Sequence, residues 1–317
     1  MQTMEHDVGP EGTAGVRTVV GSEVVALPGP DPQPSLRVYL AFVKPHIDAT
    51  FVLVAVTGGL MAWAGSGPFP LELLLLSAAA VALLSAGAEC WTNLLDRDVD
   101  AIMPRTSTRA LATGTITVHR AMLLGVALTG LGLVLAAATG PVTLLCLVFA
   151  LVDNVVVYSA LAKRSTPWSV VLGSAVGPLV LWAGYAAVRE PISPAAWLLG
   201  ALVAAWVPVH IWAIAIRYRS DYAKARIPVA PLVWTRAHLG AAIFAASVAM
   251  GVLAVAGLDE LAGAGAAWVL GPVALVSALV GAVAVLLPWH ERLAPVLIRS
   301  VTAYLVLVLV AAIALAV

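Results

Sequence analysis

LELLLLSAAAVALLSAGAECWTNLLDRDVD, residues 71–100, decides the fold. Between Leu73 and Ala88 it carries no charged residue. A helix of about 20 mostly apolar residues crosses a bilayer at 1.5 Å per residue, and residues 71–91 meet that requirement. The same stretch then ends in polar side chains. Glu89, Asn93, Asp96 and Asp100 recur at i, i+4, i+7 and i+11, which is one helical face, while Asp98 points elsewhere. A membrane-spanning helix thus ends in a row of oxygen-bearing groups.

Working outward, eight more stretches have the same character: roughly 46–64, 118–139, 141–161, 168–188, 194–216, 238–257, 266–287 and 295–317. The expected fold is an all-α polytopic membrane protein with nine transmembrane helices. Composition agrees. Of 317 residues, 62% are hydrophobic and 11% charged, and mean hydropathy is +1.00. A soluble domain has about 25% charged residues and could not cover this much apolar surface. Seventeen basic residues balance seventeen acidic ones, so no net charge favours nucleic acid. Cys90 and Cys146 lie far apart in apolar runs, which fits neither a disulfide framework nor a zinc motif. Ten Trp and six Tyr suit membrane interfaces.

Residues 1–36 are polar and rich in Pro and Gly, and read as a flexible cytoplasmic tail with no signal-peptide pattern. Residues 37–317 read as a single domain. The basic residues sort by side. Arg37 and Lys44 precede the first span. Arg97, Arg105 and Arg109 follow the second, Lys163 and Arg164 the fourth, and Arg217, Arg219, Lys224, Arg226 and Arg236 the sixth. The opposite connections hold Arg189. Positive charge concentrates on the cytoplasmic side. The tail and the long loops are therefore expected in the cytoplasm, and the expected place is a bacterial cell membrane.

Polar groups at membrane depth are costly and mark function. Three clusters stand out. In residues 87–111, four oxygen-bearing side chains on one face call for a positive partner. Hard oxygen ligands suit Mg²⁺ bridged to phosphate, and Arg105 and Arg109 follow with the forks that grip phosphate oxygens. The plainer alternative is a solvated helix end with acids paired to local arginines. In residues 152–169, Lys163 and Arg164 either hold an anion or set topology, and Asp153 with Asn154 reads as a structural hydrogen-bonded pair. In residues 206–231, His210 and Trp212 lie within a span, and Tyr218, Asp221 and Tyr222 lie at its end among four basic residues. A lone His in an apolar span is either packing or a ligand. Pro208 frees a backbone carbonyl that His210 is expected to meet. Neither a phosphate-binding loop nor a dinucleotide or zinc-protease motif occurs, which leaves an ATP-driven pump without support. Acid-bearing loops after spans two and six hint at two four-span halves plus one helix.

DRDVDAIMPRTSTRAL (96–111), YSALAKRSTPWSVVLGSAVG (158–177) and WVPVHIWAIAIRYRSDYAKARIPVAP (206–231), in that order, resemble the UbiA superfamily of intramembrane prenyltransferases. Within it the pattern is most similar to the protoheme IX farnesyltransferases (heme O synthases). VKPHI at 43–47 resembles that group's Lys-Pro start of the first span, and the likeness covers about residues 38–235. The resemblance implies a nine-helix bundle that binds a polyprenyl diphosphate through Mg²⁺ and two acid-rich loops. Carried over, Asp96, Asp100 and Asp221 are the catalytic acids and, with Asn93, the metal ligands. Arg105, Arg109, Lys163 and Arg164 hold diphosphate oxygens. Lys44, Asn93, Tyr158, His210, Trp212 and Tyr222 complete the substrate site. The implied partners are an allylic diphosphate, with farnesyl diphosphate favoured, and a hydrophobic acceptor, with heme B leading; the lipid bilayer surrounds them and no nucleic acid takes part.

The chain also departs from the family pattern. The family's Asn four residues before the first Asp is Thr92 here. Arg217 and Ala225 stand where many members place a second acid near Asp221. Arg109-Ala110-Leu111 replaces Arg-Pro-Leu, and residues 173–181 read GSAVGPLVL. These changes leave open an aromatic or quinone-precursor acceptor, or a terpene cyclase with no acceptor. From a different class, Glu89, Asp153 and His210 suggest the proton relay of a coupled transporter. Against it, the charged clusters gather on one side, with nothing comparable opposite.

Overall fold

The computed structural model describes residues 17–20, 23–26, 34–65, 67–262 and 292–317. The chain divides into two compact units, Met1–Tyr39 and Leu40–Val317. In the first, strands β1 (Arg17–Val20) and β2 (Glu23–Ala26) pair antiparallel, with Arg17 opposite Ala26 and Val20 opposite Glu23. The polar composition of the tail hid them. Each is a short Val-rich segment, RTVV and EVVA, and β-branched residues favour strands.

The other described elements are helices. Helix α1 (Leu36–Val43) ends at Lys44, whose φ of 52° places it in the left-handed region, and α2 (Pro45–Trp63) starts with Pro in its first turn. Proline suits that position because the N–H it lacks has no partner there. Next come α3 (Leu71–Leu95), α4 (Arg97–Ile102), α5 (Val118–Thr139) and α6 (Pro141–Leu151), which runs into a π-helical segment over Val152–Ala162. Helices α7 (Ser169–Leu172) and α8 (Val176–Ala186) form one interrupted span. Helix α9 (Pro194–Arg217) is followed by the short α10 (Arg219–Lys224) and α11 (Ala230–Val233), then by α12 (Arg236–Ala262) and α13 (Ala294–Ala316).

Among the described residues, seven helices are long and apolar enough to cross a membrane: Leu71–Leu95, Val118–Thr139, Pro141–Ala162, Ser169–Ala186, Pro194–Arg217, Arg236–Leu261 and Ala294–Ala316. The first expected span is present as α2, whose apolar part, Ala49–Trp63, is shorter than these. The span expected at 266–287 lies outside the described residues.

Helix α9 is the axis of the bundle. Its residues Leu199, Leu202, Val203, Val209 and Ala213 are essentially inaccessible, and α8, α12 and α13 pack around it. The apolar effect does not drive helices together inside lipid, so close packing must. Helices α2 and α8 supply it. A Cβ at Gly58 would overlap the Leu181 carbonyl oxygen, and one at Gly184 would overlap the Ala55 carbonyl oxygen. Backbone therefore meets backbone at this crossing. Helices α3 and α5 are joined by Trp91 Nε1, which donates to Thr129 Oγ1 at 3.1 Å.

Gly184→Val is expected to force α2 and α8 apart, at a loss of about 1–3 kcal/mol. The check is a lower thermal midpoint of the detergent-solubilised protein, compared with a control at an open glycine such as Gly130.

Candidate functional site

The site begins where α3 breaks. Asp96 caps α3 and opens α4, with φ −93° and ψ 1° outside ideal helix geometry. Asp100 N–H still donates to the Asp96 carbonyl at 2.7 Å, so the two acids keep their i, i+4 relation across the break. Glu89, Asn93, Asp96 and Asp100 all line one cavity of about 240 Å³. The spacing in the sequence had put them on one face, and the fold turns that face inward.

Each carboxylate that lines this cavity has a cation. Lys163 Nζ pairs with Asp96 Oδ2. Arg109 Nη1 reaches both oxygens of Asp100, at 2.9 and 2.7 Å. Lys44 pairs with Glu89 and lies 3.5 Å from Asn93 Oδ1. The left-handed backbone at Lys44, a conformation unfavourable by about 1–2 kcal/mol for a residue with a Cβ, is held by this pair. Asn93 Nδ2 donates to the Phe42 carbonyl at 3.2 Å. One oxygen, Asp96 Oδ1, is buried with no hydrogen-bond partner. Burial by itself would lower the Lys163 pKa. The Tyr158 and Asp96 oxygens beside it outweigh that and raise it, which keeps the ammonium charged.

The opposite wall of the cavity comes from the π-helical segment. The N–H of Lys163 donates to the Tyr158 carbonyl, five residues back, at 2.8 Å, and Ser159 Oγ donates to the Asn154 carbonyl at 2.9 Å. On an α-helix, at about 100° per residue, Asn154 and Lys163 would point to opposite sides. The wider turn brings Asn154, Tyr158, Ser159 and Lys163 onto one face, and all four line the cavity. Gly173 makes room for this wall. A Cβ there would lie 2.6 Å from Tyr158 Cβ.

Two apolar chambers adjoin the polar cavity. The larger, about 360 Å³, is lined by Phe51, Tyr158, Trp206, His210, Ile214 and Thr302, among others. The smaller lies between Phe51, Leu84, Leu147 and Val180. Asn154 lines all three spaces.

The UbiA prenyltransferase family model matches residues 51–294. The chain belongs to the UbiA prenyltransferase family. Protoheme IX farnesyltransferase of Thermoplasma acidophilum is 38% identical over 192 residues, 60% of this chain and 67% of the relative. The enzyme of the same name from Thermoplasma volcanium is 36% identical over 195 residues, covering 61% and 68%. Among solved structures, a UbiA homologue from Archaeoglobus fulgidus bound to GPP and Mg²⁺ superposes with a TM-score of 0.64 at 20% identity, covering 85% of this chain and 99% of its own. A digeranylgeranylglyceryl phosphate synthase superposes at 0.66 and 18% identity, covering 89% and 98%. The chain is thus a multi-pass membrane enzyme of prenyl transfer with the UbiA fold.

Within this UbiA bundle the expected residues fall into groups. Lys44, Asn93, Asp96, Asp100, Arg105, Arg109, Tyr158, Lys163 and Tyr222 converge on the polar cavity. Asp221 is buried beside it rather than lining it. Its Oδ2 accepts from the Arg105 backbone N–H at 3.3 Å, which ties the second acidic loop to the first. Among the described residues, no three acid or His side chains come together as a metal site, because Asp96 and Asp100 each face a cation and Asp221 faces a backbone N–H. Arg164 lies outside the cavity. Its two terminal nitrogens hold Asp98 at 2.8 and 2.7 Å, at the exposed surface. Trp212 is also elsewhere, packed edge-on against Trp234 in the core, with ring centroids 5.5 Å apart.

His210 meets no freed carbonyl. Its partner is Thr302 of α13, whose Oγ1 lies 3.2 Å from Nδ1. The relay of a transporter does not assemble either. Glu89 pairs with Lys44, Asp153 accepts the Val176 N–H at 2.9 Å at the start of α8, and His210 meets Thr302. Asp153 thus has its structural role with Val176 rather than with Asn154. Asn154, Ser159, Thr92 and Thr302 were missed as lining residues, and helical spacing gave no signal for the first two.

Two outcomes are expected. Gly173→Ala displaces Tyr158 from the cavity wall and lowers prenyl-transfer turnover more than it lowers the thermal midpoint, which paired kinetic and melting measurements check. Hydrogen bonding to Arg164 holds the Asp98 carboxyl below its usual range. The bridge therefore contributes fully above the ordinary carboxylate pKa and is lost as pH falls through the lowered one. Asp98→Ala lowers stability at pH 7 by no more than about 1 kcal/mol at this exposed position, read as a small drop in the melting midpoint. That difference begins to shrink as pH falls below about 4 and disappears only once pH is below the lowered Asp98 pKa.

Proposed function

We propose that the chain ionises an allylic polyprenyl diphosphate with Mg²⁺ and transfers the prenyl group to a hydrophobic acceptor, with farnesyl diphosphate as donor and heme B as acceptor. One observation carries this reading. Paired acids and bases line a cavity that shares Asn154 with two apolar chambers, so a charged head and greasy bodies have adjoining places. The names of the relatives support heme as the acceptor.

The donor set fits a hard divalent ion. Asp96 and Asp100 are buried in one cavity, the Asn93 carbonyl oxygen is beside them, and Asp96 Oδ1 has no partner. Asp96, Asp100 and Asn93 would hold Mg²⁺, with Asp221 steadying the loop that carries Arg105. When bound, the metal supplies charge that eases departure of the diphosphate. Lys163 and Arg109 are bound to the same two acids, so an arriving anion finds both cations already placed. Arg105, its guanidinium 4.7 Å from the Tyr218 ring centre, is a third grip. The apolar chambers take up the isoprenoid, whose methylenes each gain about 0.8 kcal/mol on leaving water. They also keep water from the allylic cation, beside Tyr158, which lines both the polar cavity and the larger chamber and whose aromatic ring would favour a cation.

In this reading the polar cavity opens at the cytoplasmic side, where the basic loops gather. The relatives include archaeal proteins, so the compartment is the cell membrane without a restriction to bacteria.

Asp96→Ala and Asp100→Ala are each expected to reduce diphosphate release from farnesyl diphosphate by roughly 100-fold or more, with size-exclusion profiles unchanged, and chelation of divalent ions is expected to stop it. Turnover like the wild type in either variant, or in excess chelator, ends the metal assignment. Product mass spectrometry with and without heme B separates heme farnesylation from an aromatic acceptor and from cyclisation.

A further inference from the structure

Of the two apolar chambers, the larger holds a polar group that the diphosphate chemistry does not use. His210 sits on its wall, on α9, and its ring is fixed from two directions. Trp206 stacks on it with centroids 4.6 Å apart and planes 23° from parallel, and Trp206 is itself anchored by Nε1 donating to the Val301 carbonyl at 3.1 Å. Thr302 Oγ1 stands 3.2 Å from Nδ1.

The proton positions follow from donor counting. The Thr302 hydroxyl has one hydrogen, and it goes to the Ile298 carbonyl at 2.8 Å. Toward His210 the hydroxyl can then only accept, so Nδ1 carries the proton and donates. The neutral ring must present Nε2 as a bare lone pair. Among the described residues, Nε2 has no hydrogen-bond partner. A neutral imidazole with its second nitrogen donated to an oxygen and its plane locked is the arrangement of a metal-ligating histidine. Within the described residues the chamber brings no acid or second histidine to complete a resident metal site, so the metal has to arrive with the substrate.

We infer that His210 Nε2 ligates the iron of an iron-porphyrin acceptor in this chamber, with Thr302 and Trp206 as its positioning residues. The inference rests on the heme-acceptor reading above. Its consequence is orientation. Apolar walls hold a porphyrin without choosing which edge faces the donor, whereas one axial bond fixes its centre and plane. Tyr158, Asn154 and Ile211 line both this chamber and the polar cavity, and Ile211 is the next residue after His210. A porphyrin anchored at His210 therefore has an edge at the junction where the allylic carbon would be released.

The test is the absorption spectrum and affinity of the purified full chain with heme B and with metal-free protoporphyrin IX. Wild type is expected to give a nitrogen-ligated heme spectrum and to prefer the iron porphyrin by at least about tenfold. His210→Ala should lose both the spectrum and the preference, and added imidazole should restore the spectrum, which a misfolded protein could not do. Thr302→Val should keep the ligation but weaken heme binding by roughly 10–100-fold. An unchanged spectrum in His210→Ala, or equal affinity of wild type for the two porphyrins, overturns the ligation while leaving heme farnesylation standing. If neither porphyrin binds and another acceptor is prenylated, the heme reading itself fails, and the ligation with it.

Discussion

Carboxylates cannot be buried in a helical bundle without a partner, a cation or a backbone N–H, and that requirement organises this enzyme. Asp96 and Asp100 come from the break between α3 and α4, and each is neutralised from a different part of the chain: Asp96 by Lys163 at the end of the π-helical segment, Asp100 by Arg109 from the following loop. Asp221 adds a third tie, through the Arg105 backbone, to the loop between α9 and α11. Two segments are thus pinned around one cavity by charge and a third by a backbone hydrogen bond, where the α3 span ends. The same groups, released from one another, are those a metal and a diphosphate need. In the proposed reaction, ion pairs in the free protein and ligand contacts in the loaded one would use a single set of atoms.

The apolar parts answer to a different constraint. Lipid gives the helices no reason to associate, so contact comes from small residues, as where Gly58 and Gly184 let α2 and α8 touch backbone to backbone. Around that tight crossing the packing loosens into the two chambers. Phe51 lines both chambers, and such apolar space suits the isoprenoid and acceptor proposed above.

Much of this was legible in the sequence. Spans announce themselves because hydrocarbon imposes both length and composition, and the face formed by Glu89, Asn93, Asp96 and Asp100 survived a helix break because an i, i+4 backbone bond crosses it. The arginines were harder. Arg109 and Arg164 look alike in the sequence, yet one holds a buried acid and the other an exposed one, a difference set by where two loops meet. Trp212 was drawn to the site by its nearness to His210, but two positions along an α-helix is a turn of about 200°, nearly the opposite face. The place of Asn154 on the cavity wall was hidden for a sharper reason. Every helical spacing argument assumes 3.6 residues per turn, and in this segment that assumption fails. Thr302 was equally hidden, because a hydroxyl on an apolar helix ordinarily does no more than bond back to its own carbonyl.

The widened segment bears on how the gene tolerates change. Its phase, more than any one side chain, decides which way the end of the fourth span looks. Amino-acid replacements there alter one contact at a time. Loss of a single codon between Val152 and Ala162 would rewind the coil, swing Lys163 off Asp96 and turn the whole rim by about a quarter of a revolution. Frame-preserving length variation in this stretch should therefore be rarer than exchange of residue type, because chain length here sets which side chains face the cavity.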